Sequence, residues 1–576
     1  MDRDRVLRGR EAAREHEIRD DLSVIKGENM YQEWVGYNIN QMFDYACRLR
    51  GAKEALVFGE RRYSYGHWRR RVLRIAAALR DLGVGEGTRV ACLAQNSPRW
   101  TEVIFAVWRL GGIVVPLNMT WVGREIAQSL DLTDAELLVT VGEFRGKNYL
   151  SLLEDAVPEL RGAVDEKLSL AKLPHLRRIL TWDLDSGAHP YAGDLDAKAA
   201  ASANFDAGEL MRIGEAVDPA SPCLYLPTSG STGFPKPVIH THQTFLAICS
   251  NFADAVEFGE RDRMLNFGTT YHVSGLVLLV MPIIRFGSIA QMDWFDPETA
   301  MRIIEQERIT VVWGFDMHFL QMRRHPRFAA YDVSSIERTL VGSNPGSYDE
   351  IKSMGIGHQG SLYGCSEYLS HFFPYRDRFD EERMRNTNGR PFDGVSHKIV
   401  DPSTGHVVPT GSIGEICIKG PGLFKGYYRM PEVTAAVMDD EGFFHTGDYG
   451  FIDEKDYLYF RGRLKDTVKT GGENVAAQEV EMFLAIETPW VMTAQVFGVP
   501  DATWGEAVVA MVELKENANV SEDELRDFCK GKLAGYKVPK RILFVNREDW
   551  VLTPTGKVDK SALRRIAMGR LGIARE

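Results

Sequence analysis

The sequence has few cysteines and no pairing pattern among them. Seven cysteines are scattered through 576 residues, with no Cys-x-x-Cys pair and no zinc-ligand spacing of histidine and cysteine. A disulfide-rich secreted scaffold and a zinc hydrolase are therefore not indicated, and this cysteine usage fits a reducing cytoplasm. A Gly-x-Ser-x-Gly elbow is also missing, so a serine hydrolase has no support.

Long apolar runs and excess positive charge are missing as well. The longest apolar run, Gly275-Leu-Val-Leu-Leu-Val-Met-Pro-Ile-Ile284, is too short for a membrane span and contains a proline. Met1 to Asp21 is rich in arginine and acidic residues and has no apolar stretch, so we expect a charged extension and not a signal peptide. The net charge of -11 argues against a general nucleic-acid surface.

What is present is an alternation of helical and strand patterns typical of an α/β protein. Tyr65 to Leu82 and Arg99 to Leu110 have helical spacing, whereas Arg89 to Ala94 and Gly112 to Leu117 are apolar strand-like runs. Such alternation predicts parallel strands covered by helices. The length predicts two to four domains.

The later parts of the chain differ from the first part in their sequence patterns. Residues 142–218 are expected to form a less regular segment ahead of the next strands. The alternation of helix and strand patterns then resumes, and we expect strands to end at Thr310 to Gly314 and at Thr339 to Ser343. Residues 389–460 predict a small antiparallel β unit, and the residues after 462 a compact α+β domain. Ligands of open α/β sheets bind at the carboxyl ends of strands, so both strand ends are candidate pocket walls.

A Gly/Ser/Thr-rich stretch, Thr228-Ser-Gly-Ser-Thr-Gly-Phe-Pro-Lys236, lies between two apolar strand patterns. Glycines let backbone amides approach an anion, hydroxyls add donors, and Lys236 adds a cation, so the stretch predicts a polyphosphate-binding loop. Its order differs from the Walker pattern. A flexible linker is the alternative, but a linker needs neither flanking strands nor the Pro-Lys that follows.

Four further motifs follow in order: Tyr363-Gly-Cys-Ser-Glu367, Gly442-Phe-Phe-His-Thr-Gly-Asp448, Gly462-Arg-Leu-Lys-Asp466 with Gly471-Gly-Glu-Asn474, and Pro554-Thr-Gly-Lys557. With this set the chain, from about residue 40 to about residue 570, resembles the adenylate-forming superfamily, in particular its acyl-CoA synthetases. The resemblance implies a charged extension over 1–37, a large domain over 38–464 with doubly wound, mostly parallel sheets and a small β unit, and a small mobile α+β domain over 465–576.

The resemblance assigns most of these residues to the nucleotide. Tyr363 would contact the adenine, Asp448 and Arg463 the ribose, Glu367 would hold Mg²⁺, and Ser366 would add a hydroxyl beside it. A carboxylate offers the paired acceptors that a ribose diol needs, and Mg²⁺ prefers hard oxygen ligands. The phosphate contacts implied by the loop are Thr228, Ser229, Gly230, Ser231, Thr232, Gly233 and Lys236.

Other positions are implied for the adenylation step, for the domain movement, for coenzyme A and for the acid. Lys557 would bridge the substrate carboxylate and the α-phosphate, Lys465 would be the hinge of the C-terminal domain, and Gly471 and Gly472 would flank the pantetheine arm of coenzyme A. His272 is implied both as a catalytic residue and as a wall of the acyl pocket. The full set of pocket candidates is His272, Trp313, Gly314, Val341, Gly342, Ser343 and Gly364.

The resemblance implies an enzyme that activates a carboxylic acid with ATP and Mg²⁺ as an acyl-adenylate and transfers the acyl group to coenzyme A. Trp313 to Phe315 favour a cyclic, aromatic or branched acid. Three alternatives remain: an enzyme performing one half-reaction, an enzyme loading a carrier protein, and a catalytically silent nucleotide-binding protein. The expected partner is a small-molecule acid, with a second copy of the chain, a carrier protein or a partner adenylating enzyme as further candidates.

Overall fold

The structure, a computed structural model, describes residues 34–182, 189–228, 235–342, 347–463, 467–470, 473–501, 503–530, 532–533, 535–552 and 558–573. Over these ranges, no helix has both the length and the apolar character that crossing a membrane requires.

Helices are distributed along the whole described chain. In chain order they are α1 (Ile39–Leu49), α2 (Tyr65–Asp81), α3 (Pro98–Arg109), α4 (Gly123–Leu132), α5 (Tyr149–Ala156), α6 (Leu195–Ala201), α7 (Ala207–Glu215), α8 (His242–Ala255), α9 (Val273–Ile284), α10 (Pro297–Glu307), α11 (Asp316–Arg323), α12 (Tyr348–Lys352), α13 (Glu381–Asn386), α14 (Pro431–Ala435), α15 (Ala477–Glu487), α16 (Glu522–Cys529) and α17 (Lys560–Arg570). Capping chemistry explains many of their starts. Ser97, for example, accepts a hydrogen bond from the Trp100 amide, and Pro98 occupies the first turn of α3.

Strands connect these helices. In chain order they are β1 (Glu54–Phe58), β2 (Arg61–Ser64), β3 (Arg89–Leu93), β4 (Ile113–Pro116), β5 (Leu137–Thr140), β6 (Glu143–Phe144), β7 (Lys147–Asn148), β8 (Arg178–Thr181), β9 (Ala192–Asp194), β10 (Pro222–Thr228), β11 (Lys236–Thr241), β12 (Arg263–Asn266), β13 (Ser288–Gln291), β14 (Val311–Phe315), β15 (Arg338–Gly342), β16 (His358–Gly364), β17 (Leu369–Phe372), β18 (Arg390–Pro391), β19 (Ser396–Val400), β20 (Gly414–Lys419), β21 (Phe444–Ile452), β22 (Leu458–Arg463), β23 (Thr467–Thr470), β24 (Glu473–Ala476), β25 (Val491–Asp501), β26 (Gly505–Leu514) and β27 (Arg541–Phe544).

Two large sheets form the body of the protein. The larger has the strand order β18-β17-β16-β15-β14-β12-β13-β1-β2 and is parallel from β16 to β1, with antiparallel strands at both edges. The other has the order β11-β10-β4-β3-β5-β8-β9 and is parallel except for its β10–β11 pair. The predicted mixture of parallel sheets and helices is confirmed.

Helices α8 and α9 are buried along almost their whole length. Apart from Ser274, every residue of α9 is buried, including Pro282, and α8 is buried except near its ends and at Gln243. Both contribute to one continuous core that also includes side chains from both large sheets. A helix that is apolar on all sides needs cover on all sides, which explains the longest apolar run of the sequence.

One expectation about the first half is wrong in part. Residues 142–218 contain α5, α6 and α7, and their strands β8 and β9 extend the second sheet beside β5. The inner residues Ile179 and Leu180 are fully buried, so this segment contributes to the core. Strands β8 and β9 were not predicted because strands of three or four residues show little periodicity in their sequence, and Asp, Gly and Ala are frequent in this segment.

Two smaller sheets follow. Strands β19 to β22 form the expected antiparallel unit, in sequence order. The last sheet has the order β24-β23-β26-β25, with β27 parallel to β26, and α15 to α17 accompany it in the chain. Its core has its own apolar clusters, around Val480 and Leu484 on one side and Leu563 and Met511 on the other.

Candidate functional site

The predicted phosphate loop is framed by a pair of antiparallel strands. Thr228, the last residue of β10, is the register partner of Lys236, the first residue of β11. The Thr228 hydroxyl donates a hydrogen bond to the Lys236 carbonyl over 3.2 Å, which fastens the base of the loop. Residues 229–234 lie outside the described residues, and with them the predictions for Ser229, Gly230, Ser231, Thr232 and Gly233.

Lys236 and Glu367 both contact the side chain of Tyr427, Lys236 at the ring and Glu367 at the hydroxyl. The Lys236 ammonium lies 5.2 Å from the centre of the Tyr427 ring, and the Tyr427 hydroxyl donates to Glu367 Oε1 over 2.7 Å. A cation next to the ring face and a carboxylate at the hydroxyl are thereby held in one cluster. The arrangement places a positive group and a metal-ligating type of group beside the exit of the loop.

A second link joins the same two motifs through the main chain. His240 on β11 is buried, and its Nε2 lies 2.8 Å from the Ser366 carbonyl oxygen. Burial lowers the pKa of His240, so the ring is neutral and Nε2–H donates to that carbonyl. The Phe424 amide also donates to the Glu367 carbonyl, over 3.0 Å. Ser366 and Glu367 are thus fixed relative to the phosphate-loop strands.

The nucleoside candidates form a second cluster. The Tyr363 hydroxyl donates to Asp448 Oδ2 over 3.0 Å, and Arg463 Nε lies 3.3 Å from Asp448 Oδ1. Asp448 and Arg463 are register partners on β21 and β22. Burial, and then the charge of Asp448, raises the pKa of the Tyr363 phenol, so this hydroxyl stays protonated and remains a donor.

The turn before Asp448 has a conformation that requires glycine. Gly447 has φ +70°, in the left-handed region that glycine adopts without a side-chain penalty. Its amide donates to Glu415 Oε1 over 3.0 Å, and the Thr446 hydroxyl donates to the Ile416 carbonyl over 2.7 Å. Strand β20 therefore supports the turn that presents Asp448.

Gly364, a predicted pocket residue, lies in the turn after Tyr363, where a side chain has no room. A Cβ atom at Gly364 would lie 2.6 Å from both Leu369 Cα and the Tyr368 carbonyl oxygen. Backbone atoms cannot move aside cheaply, so only glycine fits there. The Tyr363 ring next to it packs near Phe460 and His371, at centroid distances of 5.6 and 5.8 Å.

The remaining pocket candidates lie on neighbouring strands. Trp313 and Gly314 belong to β14, and Gly314 is the register partner of Val341 on β15. Gly342 ends β15, whereas Ser343 lies outside the described residues. Trp313 is 2 % exposed, so its indole is part of the core. His272 is half-buried in front of α9, with its ring 4.6 Å from that of Tyr271.

An aromatic cluster beside Gly314 was missed by the sequence reasoning. The His318 ring lies 4.4 Å from Phe295, 5.6 Å from Phe267 and 5.9 Å from Phe315. His318 Nδ1 accepts a hydrogen bond from the Phe315 amide, and burial lowers the pKa of His318 to about 4. A Cβ at Gly314 would press on Phe267 and His318, so this glycine allows the cluster to close.

Several predicted residues lie outside the described part of the chain: Lys465 at the expected hinge, Gly471 and Gly472 at the expected pantetheine tunnel, and Lys557 at the expected adenylation site. Their roles stay predictions. Tyr427 and His240, which organise the described site, carried no sequence signal of their own, although His240 stands just after the phosphate motif.

The chain matches two family models in sequence order. The model described as "AMP-binding enzyme" matches residues 43–428, and the one described as "AMP-binding enzyme C-terminal domain" matches residues 479–557.

Full-length relatives agree with that match. A putative acyl-CoA synthetase of Bacillus subtilis, YngI, is 31% identical over 92% of this chain and 97% of its own length. A feruloyl-CoA synthase of an Amycolatopsis species is 32% identical over 90% and 97%. The crystal structure of ATP-bound MatB from Rhodopseudomonas palustris superposes with a TM-score of 0.77 at 28% identity, covering 92% and 99%. The chain belongs to the AMP-binding enzyme family, among the acyl-CoA synthetases of the adenylate-forming superfamily.

Proposed function

We propose that this protein is an ATP-dependent ligase that joins a carboxylic acid to coenzyme A in two steps. In the first, a carboxylate oxygen of the acid attacks the α-phosphorus of ATP, and the bond to pyrophosphate breaks. In the second, the thiolate of coenzyme A attacks the acyl carbon, and AMP leaves with the electrons of the broken C–O bond. The observation that carries the proposal is the joining of Tyr363, Asp448 and Arg463 in one cluster of donors and acceptors.

Asp448 would bind the ribose. Asp448 is 5 % exposed, and its carboxylate is held by the Tyr363 phenol and by Arg463. Two acceptor oxygens on a fixed carboxylate suit the two hydroxyls of a ribose. The Tyr363 ring would then lie against the adenine, and Arg463, whose side chain is half exposed, would complete the ribose contact.

Glu367 would hold Mg²⁺ on the phosphates of ATP. The fit is supported by the chemistry of its neighbours, since the hydroxyl of Tyr427 fixes Oε1 and the Lys236 ammonium stands on the same ring. When bound, Mg²⁺ would neutralise part of the phosphate charge. Ser366, Thr228 and the loop Ser229 to Gly233 would add donors to the phosphates, and Lys557 would add a cation at the α-phosphate.

The C-terminal part would move between the two steps. We assign residues 38–464 to the large domain and 465–576 to the small one, with Lys465 as the hinge and Gly471 and Gly472 against the pantetheine arm. When a domain rotates about a hinge, only a few residues change their backbone dihedral angles.

We also propose a cytoplasmic location. All seven cysteines are free thiols, which supports this proposal.

The proposed acid has a ring or a branched body. The support is the ring cluster at the end of β14: Gly314 lies beside Phe267 and His318, and the Phe295 ring packs near both. Planar or compact acyl groups pack well on aromatic walls, whereas an extended alkyl chain needs a long open channel. A feruloyl-CoA synthase is among the relatives, and a feruloyl group carries an aromatic ring.

The test is product analysis with a panel of aromatic, branched and straight-chain acids, each with ATP and Mg²⁺, with and without coenzyme A. The proposal expects one class of acid to give a CoA thioester, AMP and pyrophosphate, identified by mass spectrometry. Conversion of supplied acyl-adenylates alone would make the protein a thioester-forming half-enzyme. Turnover with a phosphopantetheinylated carrier protein but not with coenzyme A would identify a carrier-loading enzyme.

A further inference from the structure

Three side chains with metal-binding atoms meet on the small antiparallel sheet, beside the nucleotide turn. Cys417 on β20 and His445 on β21 are directly opposed register partners. Glu415 lies two residues before Cys417 on the same strand, and alternate residues of a strand share a face. A carboxylate, a thiol and an imidazole are thus brought to one point by strand pairing alone.

The distances among their ligand atoms fit one small cation. Cys417 Sγ lies 3.5 Å from His445 Nδ1, and Glu415 Oε2 lies 2.9 Å from the same nitrogen. The three ligand atoms all lie within 4.8 Å of one another. Zinc bonds of about 2.3 Å to sulfur and about 2.0 Å to nitrogen, at a tetrahedral angle, put sulfur and nitrogen about 3.5 Å apart.

The surroundings of His445 also suit a metal ligand. Its other nitrogen, Nε2, faces Asp439 Oδ2 at 3.8 Å, and metal-binding histidines commonly direct their second nitrogen to a carboxylate. Lys398 holds Asp439 in place, with Nζ 2.7 Å from Oδ2, so the carboxylate beside His445 Nε2 has a fixed position. Cys417 is fully buried, whereas the His445 side chain is 30 % exposed and gives the site an opening to solvent.

We propose that Glu415, Cys417 and His445 bind one Zn²⁺ ion, with water from the solvent side as the fourth ligand. Binding replaces the proton of the Cys417 thiol: the sulfur–hydrogen bond breaks, a sulfur–zinc bond forms, and one proton is released to the buffer. The mixed sulfur, nitrogen and oxygen set favours zinc over magnesium, which takes oxygen ligands almost alone.

The site is connected to the nucleotide turn through Glu415. While Oε2 faces the cation position, Oε1 accepts the Gly447 amide hydrogen just before Asp448. An ion at this position therefore fixes the carboxylate that supports the turn. Zinc binding itself requires no turnover, so this proposal stands apart from the ligase reaction.

The alternative is a set of hydrogen bonds without a metal. Burial, and then the charge of Glu415, raises the pKa of the Cys417 thiol to about 12, so without a cation the sulfur keeps its proton. In that case the hydrogen bond between His445 and Glu415 only joins strand β21 to strand β20. The two readings differ in one observable, which is the formation of a sulfur–metal bond.

Cobalt(II) absorption of the full-length protein, freed of metal by a chelator and dialysed, tests the proposal. We expect one equivalent of Co²⁺ to produce a thiolate-to-cobalt charge-transfer band with the intense visible bands of tetrahedral cobalt, and Zn²⁺ to displace it. Calorimetry of Zn²⁺ binding in buffers of different ionisation enthalpy should report release of one proton.

Two site variants and one control sharpen the result. Cys417→Ser should abolish the charge-transfer band, and His445→Gln should weaken Zn²⁺ binding by at least ~10-fold. Cys529→Ser, which removes another buried thiol far along the chain, should leave both readouts unchanged. Melting curves confirm that each variant is folded. A missing band in folded wild type, or a band that persists in Cys417→Ser, would overturn the proposal.

Discussion

The Tyr363 hydroxyl and the Asp448 carboxylate are joined by a hydrogen bond of 3.0 Å between residues 85 positions apart. Tyr363 lies near the carboxyl end of β16 in the larger sheet, where it pairs with β17, and Asp448 belongs to the small antiparallel sheet on β21. The bond therefore connects the proposed adenine contact to the proposed ribose contact across two sheets. In the proposed site it would give the nucleoside a single, pre-arranged binding surface.

Removal of this hydroxyl should weaken ATP binding. Tyr363→Phe keeps the ring but leaves the nearly buried Asp448 carboxylate without one donor. A lost hydrogen bond to a charged group costs on the order of 1.5–3 kcal/mol, so we expect the KM for ATP to rise at least about tenfold. Steady-state pyrophosphate release measures this.

Tyr457→Phe is the matched control for that experiment. Tyr457 is also a buried tyrosine that donates to a carboxylate, Asp377, over 2.6 Å, but away from the nucleoside cluster. Its loss should lower the melting temperature without raising the KM for ATP. Equal KM effects of the two variants would contradict a nucleoside role for Tyr363.

Tyr427 should control the response to Mg²⁺. Its hydroxyl fixes Glu367 Oε1, so in Tyr427→Phe the carboxylate must bind the ion without that orientation. We expect the Mg²⁺ concentration for half-maximal activity to rise several-fold, and kcat at saturating Mg²⁺ to recover in part. The neighbouring variant Tyr428→Phe, which loses a 2.9 Å bond to Asp134, should show no such shift.

Buried histidines should make the fold sensitive to acid. Burial lowers the pKa of His242 to about 3 and of His318 to about 4, whereas an unfolded histidine titrates near about 6.5. Below pH ~6.5 the unfolded chain binds more protons, so each such histidine costs about 1.4 kcal/mol of stability per pH unit. The contribution of these two histidines to stability should therefore be constant above that pH and fall beneath it.

The pH dependence can be assigned with variants. His242→Gln should flatten the fall of the first melting transition between pH 6.5 and 5.5, even though the variant is less stable at neutral pH. His406→Gln, at an exposed position, should leave the slope unchanged. An unchanged slope in the His242 variant would contradict this explanation.

Gly364 should not tolerate a side chain. In Gly364→Ala the new Cβ would meet the backbone at Leu369 and Tyr368, both at 2.6 Å, and displace the turn after Tyr363. We expect a loss of about 1–3 kcal/mol in the free energy of unfolding, with reduced ATP binding. Gly85→Ala, where no atom lies within 4 Å of the added Cβ, is the control and should be nearly neutral.

The motif residues were predictable because short motifs fix their own backbone. Asp448 and Arg463 stand in two such motifs, and strand pairing makes them neighbours as the resemblance implies. Contacts between distant segments were not predictable. Tyr427 is 60 residues from Glu367, and His240 is 126 residues from Ser366, and such pairs depend on sheet order, which periodicity does not contain.

The same limit applies to the proposed acyl pocket. The strand pattern of Trp313 and Gly314 predicted a strand end, and the structure has one in β14. Period-two alternation does not tell which face of a strand meets the core, so the burial of the Trp313 indole was not foreseen. The ring cluster around His318 likewise assembles residues from three separate segments.

The central claim is that Tyr363, Asp448 and Glu367 belong to one adenylate-forming site. Acid-dependent exchange of labelled pyrophosphate into ATP tests it most directly, since this exchange reports the first step without coenzyme A. We predict exchange with one class of acid in wild type and a loss of ~10²-fold or more in Asp448→Asn. Exchange that needs no acid, or that survives intact in the folded Asp448 variant, would contradict the account.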